Sequence, residues 1–192
     1  MKILWKLARI LLGLVFLFSG LVKGIDPLGS AYKFTDYFLA WGMESLEPLA
    51  LPLAVMLIIA EFLTGTALIT GILLPAFTRL ALTLLVFFTG LTLYIALENP
   101  VSDCGCFGDA LKLSNWQTFL KNLVLLIPAF VLFRLNRRFR RIPVSGFRMG
   151  TAGIMTLFVA TLEIYSLNHL PLIDFRPYKE GTHIPTAMSI PR

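Results

Sequence analysis

The sequence has few charged residues for its length. Charged residues make up 15% of its 192 residues, hydrophobic residues make up 57%, and the mean hydropathy is +0.79. A soluble globular domain usually carries about 25% charged residues. This composition excludes an ordinary soluble protein and predicts an integral membrane protein.

Histidine and cysteine are also scarce, with two of each in the whole chain. A structural zinc site normally takes four nitrogen or sulfur ligands, and no histidine lies near the cysteines in the sequence.

The long apolar runs also lack the period-two alternation of a membrane β-barrel. The predicted fold class is therefore an all-α integral membrane protein.

Five apolar segments are long enough to cross a bilayer, which takes about 20 residues of helix. They cover approximately residues 3–22, 49–74, 77–97, 116–133 and 147–167. We expect them to form a bundle of transmembrane helices.

Local signals predict where some helices begin and end. Pro75 is expected to stop the second span. Ser114 and Gln117 match a capping box, which predicts that the fourth helix begins near Ser114. The amphipathic segment 24–48 contains several aromatic residues and is expected to cover the end of the bundle near the cysteines.

The distribution of charge predicts the orientation of the bundle. The start of the chain, the turn after the second span and the connection after the fourth span carry Lys and Arg but no Asp or Glu; these basic residues are Lys2, Lys6, Arg9, Arg79, Arg134, Arg137, Arg138, Arg140, Arg141 and Arg148. Such regions stay in the cytoplasm. We therefore expect a cytoplasmic N-terminus, an extracytoplasmic C-terminus and no nucleic-acid partner for the net charge of +6.

Both cysteines lie in the stretch DCGCFGD, residues 103–109, which this orientation puts outside the cytoplasm. Thiols there face an oxidising compartment, where disulfides persist. Cys104 and Cys106 can pair if the backbone brings their Cα atoms within about 7 Å, and Gly105 can supply the positive φ for such a turn. So small a ring removes little entropy from the unfolded chain. A redox-active pair is therefore the leading interpretation.

Two other interpretations of the pair stay open: a structural disulfide, and a two-coordinate soft ion such as Cu(I) held by both thiolates. Asp103 and Asp109 should disfavour the thiolate form, and Lys112 should partly offset them. His169 and His183 lie beyond the fifth span and would reach the loop only by folding back. A redox role would also need a second carrier, either a protein or a quinone, because the chain has no other thiol.

Glu61 lies in the middle of the second span, where a charge costs several kcal/mol unless it is paired or protonated. It should therefore face the inside of the bundle. A proton relay, a polar contact to a bound quinone and a structural hydrogen bond all stay open. Lys23 and Lys121 are expected to extend to the headgroups, although a Glu61–Lys121 pair is also open. Ser19 and Gly20 are expected to let another helix approach closely.

The sequence resembles the DoxX/MauE-like bacterial membrane proteins over residues 3–133. The resemblance lies in RILLGLVFLFSGLVKGIDP (9–27), in the Glu61 span that ends in LITGILLP (68–75), and in CGCFG before a Trp-containing helix, which indicates the MauE side. It implies a four-helix transmembrane bundle over residues 1–135 with a periplasmic loop at 98–114. A cytoplasmic connection (136–148), a fifth transmembrane helix (149–169) and an extended periplasmic arm (170–192) would follow.

The resemblance also implies a function at the periplasmic face of the bacterial inner membrane. Relatives take part in thiol-disulfide chemistry, and DoxX relatives belong to quinone-linked complexes. Cys104 and Cys106 would exchange disulfides with a thioredoxin-like or disulfide-containing periplasmic protein, with no required cofactor and a quinone as an optional one. The alternatives are a non-catalytic scaffold subunit of a membrane complex and a Cu(I) carrier.

Overall fold

The computed structural model describes residues 2–101, 103–111, 113–139, 145–169 and 173. Within these ranges it contains six α-helices, a 3₁₀ helix and one short strand: α1 (Lys2–Ile25), α2 (Pro27–Ala40), the 3₁₀ helix (Glu44–Leu49), α3 (Ala50–Thr70), α4 (Leu74–Glu98), β1 (Cys106–Asp109), α5 (Asn115–Phe139) and α6 (Gly146–Asn168). Lys112, His183, the side chain of Asp109 and the expected arm, except Ile173, lie outside the described residues.

Five of these helices are long and apolar enough to cross a membrane, as expected: Ile3–Ile25, Glu44–Thr70, Leu74–Glu98, Asn115–Leu135 and Gly146–Asn168. The protein is therefore a multi-pass membrane protein. Helix α2 has only 14 residues and is too short to span. It packs against α1, α3 and β1, so the amphipathic segment does lie beside the cysteine loop, as the sequence predicts.

The end of the second span differs from the expectation. Helix α3 ends at Thr70, and Gly71 adopts the left-handed conformation (φ 84°) that caps a helix C-terminus. Pro75 lies in the first turn of α4, where its missing N–H costs nothing. Pro75 thus opens the third span and does not stop the second. The expected connection 136–148 likewise includes the last residues of α5 and the first residues of α6.

Helices α1 and α3 pack at backbone distance, and small residues make this possible. A Cβ added at Gly20 would lie 2.7 Å from the backbone nitrogen of Phe62, and one added at Gly65 would overlap the backbone of Leu17. The expectation that Gly20 lets another helix approach closely is confirmed, and Gly65 does the same from α3. This contact fixes the rotation of α1 against α3, and with it the side chains that the two helices direct at each other.

We predict that Gly65→Ala will destabilise the protein by about 1–3 kcal/mol, because α1 and α3 must move apart to admit the methyl group. Gly90→Ala on α4 is the matched control, since its added Cβ would meet nothing within 4 Å. Alanine also forms helix better than glycine, so the control should be neutral or slightly stabilising. Thermal unfolding in detergent micelles measures both. Equal melting temperatures for the two variants would contradict this account of the helix contact.

Candidate functional site

Cys104 and Cys106 are joined in a disulfide, with their Cα atoms 5.5 Å apart. Gly105 between them has φ +67°, so the predicted left-handed turn is confirmed. A side chain at this position would also collide with Lys33, because an added Cβ would lie 2.8 Å from its Cγ. Cys104 is buried against Tyr37 and Ile95, whereas Cys106 is only half-buried. The two sulfurs are therefore not equivalent to an incoming reagent.

Helix α2 holds the loop from one side. Lys33 Nζ lies 2.6 Å from Asp103 Oδ1, and the other carboxylate oxygen of Asp103 accepts a hydrogen bond from the Gly105 N–H at 3.2 Å. Tyr37 Oη donates to the Cys104 carbonyl at 3.0 Å. Burial, together with Asp103 and Asp36, raises the pKa of Tyr37, which keeps this phenol protonated and donating.

The pairing with Lys33 changes what Asp103 does to the cysteines. The sequence alone predicts that this carboxylate disfavours a thiolate. In the structure its charge is compensated by a lysine whose side chain is only 19% exposed. The compensating cation comes from α2, about 70 residues earlier in the chain, so no pattern near the cysteines indicates it.

Phe107 anchors the other side of the loop. Its ring is buried and meets Phe18 of α1 edge-on, with the ring centroids 5.6 Å apart. Lys121 of α5 places its ammonium 4.2 Å from the centre of the same ring, a cation–π distance. Lys121 therefore points into the bundle at this level, contrary to the expectation that it extends to the headgroups.

A buried polar network lies directly beneath the disulfide and consists of Ser19, Lys23 and Glu61. Lys23 Nζ lies 2.8 Å from each of the two oxygens of Glu61. Ser19 Oγ is 2.9 Å from Glu61 Oε2 and 2.8 Å from the carbonyl oxygen of Cys106, and can donate its proton to either. The network connects the intramembrane carboxylate to the backbone of the cysteine loop.

This network confirms one expectation and corrects another. Glu61 is 4% exposed and faces the inside of the bundle, as its charge requires. Lys23 was expected to extend to the headgroups, but it is 3% exposed and forms the ion pair with Glu61. Ser19 acts as a hydrogen-bond donor in addition to allowing close packing. The partner of Glu61 is thus Lys23, and not the alternative Lys121.

Two cavities meet at Cys106. The larger has a volume of about 500 Å³, and its walls come from α2, α3, α4 and the cysteine loop. The smaller, about 40 Å³, is bounded by the polar network, Phe107 and Lys121. Cys106, Lys23 and Phe88 line both. The more accessible cysteine therefore lies between an apolar cavity and a buried pair of charges.

The donors for a larger metal site do not come together in the described part of the chain, where no three His, Cys, Asp or Glu side chains form a group. His169 stacks on Tyr165 at the end of α6, with ring centroids 4.6 Å apart. A Cu(I) ion could use the cysteine pair only after reduction, because the two sulfurs are bonded to each other here.

The sequence did not indicate that Lys33 and Tyr37 belong to the site, nor that Lys23 pairs with Glu61. Helical spacing carries a signal for each of them. Ser19 and Lys23 are four residues apart on α1, as Lys33 and Tyr37 are on α2, so each pair occupies one face of its helix. Helical spacing shows that the two residues of each pair share a face of their helix. It does not show which other helix or loop that face contacts.

We predict that Glu61→Gln will cost about 3–5 kcal/mol, because it leaves the Lys23 ammonium buried without a counter-charge. The double variant Lys23→Met/Glu61→Leu removes both charges and should be markedly more stable than Glu61→Gln. Asp36→Asn is the surface control. Asp36 Oδ2 lies 4.0 Å from Lys33 Nζ and the Asp36 side chain is 52% exposed, so this change should lower the free energy of unfolding by less than about 1 kcal/mol. Thermal unfolding in micelles gives all three values. If Glu61→Gln were as mild as Asp36→Asn, the ion pair would not be a structural requirement.

Comparison with known proteins places this arrangement in a family. Residues 1–135 match the family model described as methylamine utilisation protein MauE. No curated protein and no solved structure matches the chain. The matched range covers more than half of the chain and includes the cysteine loop, the polar network and both cavities, whereas α6 lies beyond it. The chain belongs to the methylamine utilisation protein MauE family.

Proposed function

We propose that this membrane accessory protein exchanges disulfides through Cys104 and Cys106 with a thioredoxin-like protein of the periplasm. The observation that carries the proposal is the position of the disulfide. It closes a loop with a single intervening residue and borders the large cavity, where Cys106 is half-buried and Cys104 is buried. A disulfide that closes so short a loop adds little to stability, which favours a reactive role over a structural one.

The exchange would begin at Cys106, the half-buried member of the pair. A partner thiolate attacks Cys106 Sγ, the Cys104–Cys106 bond breaks, and Cys104 leaves as the thiolate. A second partner thiol then attacks the mixed disulfide, and Cys106 is released. The partner loses two electrons and becomes a disulfide, while the pair gains two electrons and two protons. The same steps in reverse would reduce a partner disulfide.

Two lysines lie beside the thiolate that leaves, and each is already paired with a carboxylate, Lys23 with Glu61 and Lys33 with Asp103. Lys23 and Lys33 are the charged residues in the described wall of the large cavity, which both cysteines also line. A nearby ammonium lowers the free energy of a thiolate relative to the thiol. Because each ammonium is balanced by a carboxylate, the two lysines offer a thiolate N–H donors and little net positive charge.

A second function is supported by different contacts, namely a scaffold subunit with a structural disulfide. The carbonyls of both cysteines accept hydrogen bonds, from Tyr37 and from Ser19, and Phe107 is packed into the bundle. A loop fixed at three points could serve as a docking surface for other subunits of a membrane complex. In that case the sulfurs would stay oxidised through every functional state.

We predict that Cys104→Ser will accumulate a mixed disulfide with a reduced thioredoxin variant that keeps only its attacking cysteine, because Cys106 is attacked and neither protein then has a resolving thiol. Cys106→Ser is the matched control and should trap much less, since Cys104 is buried. The measurement uses the purified variants in nanodiscs, first oxidised to a mixed disulfide with glutathione, and non-reducing gels. Equal trapping by both variants would contradict the assignment of Cys106.

The wild-type protein separates the exchange role from the scaffold role. In a series of glutathione redox buffers, the pair should pass reversibly from disulfide to dithiol, as read by alkylation with a thiol-specific mass tag. A pair that stays oxidised throughout, together with full cellular function of the double variant Cys104→Ser/Cys106→Ser, would establish the scaffold role instead.

The proposal places the cysteine loop on the periplasmic side of the bacterial inner membrane, on the basis of the charge distribution. We predict that alkaline phosphatase fused after Asn168, the last residue of α6, will be active. A green fluorescent protein fused at the same point should be dark. The opposite pattern would put the cysteines in the cytoplasm and would contradict the periplasmic partner.

A further inference from the structure

The large cavity is apolar, and it is of a size that suits a small molecule. Its volume of about 500 Å³ falls within the range of about 300–1,000 Å³ that is typical of small-molecule sites. Aromatic rings form much of the wall: Phe34, Tyr37, Phe38, Trp41, Phe87 and Phe88. Such a wall suits a flat, apolar ring.

The cavity runs from the cysteine loop to a side of the bundle that faces lipid. Residues of α3 and α4 form its two long walls, and both helices are membrane spans. Met56 of α3 is 59% exposed and Phe87 of α4 is 61% exposed, although both line the cavity. A ligand with a long apolar tail could therefore enter from the bilayer and leave its tail there.

The far end of the cavity contains redox and hydrogen-bonding groups. Cys104, Gly105 and Cys106 line it, as do Lys23 and Lys33. An ammonium has three N–H donors. Two donors of Lys23 are accounted for by the two oxygens of Glu61, which leaves a third. The cavity thus offers cations to an oxygen acceptor next to a disulfide.

We propose that this cavity binds the ring of a lipid-soluble quinone, which accepts the electrons of the reduced cysteine pair. The proposal rests on the proposed thiol-disulfide function. The protein has two cysteines in total, so a second thiol pair cannot carry the electrons onward. A two-electron acceptor that is apolar, flat and dissolved in the bilayer matches the walls, the opening and the disulfide of this cavity.

The electrons and protons of the step balance. The Cys104 and Cys106 thiols lose two electrons and two protons, two S–H bonds break and the S–S bond forms. The quinone takes up the two electrons and two protons at its two oxygens and becomes a quinol. Lys23 is placed to donate a hydrogen bond to one of those oxygens, and Glu61, which is itself bonded to Ser19, holds its ammonium in position. Glu61 does not line the large cavity, so its role toward the ring would be indirect.

Binding can be measured apart from the redox step. The three tryptophans are Trp5, Trp41 and Trp116, and of these Trp41 lines the cavity. A short-chain ubiquinone analogue should quench the fluorescence of a variant that keeps only Trp41, and the quenching should saturate. A variant that keeps only Trp116, which is 52% exposed, reports quinone that is merely dissolved in the nanodisc. Its quenching should rise without saturation.

Two variants test the cavity in the redox step. Ala60→Phe puts a ring into the cavity, and Leu57→Trp does so from another position on α3. Ala76→Phe, at an exposed position near the start of α4, is the control. Under anaerobic conditions, the analogue should oxidise the reduced wild-type and control proteins. It should oxidise the two filled variants about tenfold more slowly or not at all, a change of about 1.4 kcal/mol.

The outcomes separate the two proposals. Non-saturating quenching of both single-tryptophan variants would overturn the quinone site. So would competition in which a decyl-substituted benzene without oxygens displaces the analogue from Trp41 as well as the unlabelled analogue does, since the cavity would then accept any apolar tail. Trapped thioredoxin together with no oxidation by the analogue would also overturn the quinone site, while leaving the exchange function standing. Saturable quenching and cavity-dependent oxidation with no thioredoxin trapping would support the quinone site and contradict the exchange function.

Discussion

The ion pair between Lys23 and Glu61 is the constraint on which the rest of the site depends. A lysine or glutamate alone at this depth would be costly, whereas the two together place 2.8 Å contacts between α1 and α3. The pair can form because glycines let these two helices approach at backbone distance. Ser19, one turn before Lys23, then lies close enough to reach both the carboxylate and the cysteine loop. The close packing of α1 and α3, the Lys23–Glu61 ion pair and the position of the cysteine loop therefore depend on one another.

A second set of contacts comes from outside the membrane spans. Helix α2 contributes Lys33 to Asp103 and Tyr37 to the Cys104 carbonyl. The loop is therefore held through its carbonyls and its aspartate, and no contact of this kind depends on the sulfurs. The backbone of the pair can stay in place while the S–S bond opens and closes. Such a division suits a site that changes redox state without rebuilding its surroundings.

The sequence predicts those features that depend on local chemistry. The number of membrane spans follows from hydropathy. The inward orientation of Glu61 follows from the cost of exposing a charge to lipid. The turn at Gly105 follows from the freedom of glycine at positive φ. The capping box is also confirmed, since Ser114 and Gln117 exchange hydrogen bonds between side chain and backbone. Each of these can be argued from a few adjacent residues.

Contacts that depend on how one helix is rotated against another could not be predicted from adjacent residues. Lys23 lies near the end of the first span and Lys121 near the start of the fourth, at the same end of the bundle, so position along the spans does not tell which of them meets Glu61. The contacts of Lys33 and Tyr37 with the loop join residues about 70 positions apart in sequence. No local pattern specifies such a pairing. The cavity also depends on the gap between α3 and α4, which is a property of the whole bundle.

The position of the ion pair has a consequence for any redox change at Cys106. Two electrons added to the disulfide without protons would place two negative charges in a largely apolar surrounding, which is unfavourable. Proton uptake must therefore accompany reduction, and proton release must accompany oxidation. Lys23 donates hydrogen bonds to both oxygens of Glu61, and Lys23 lines both cavities beside Cys106. Lys23, which stabilises the contact between α1 and α3, is thus also the charged residue of the ion pair that borders both cavities at Cys106.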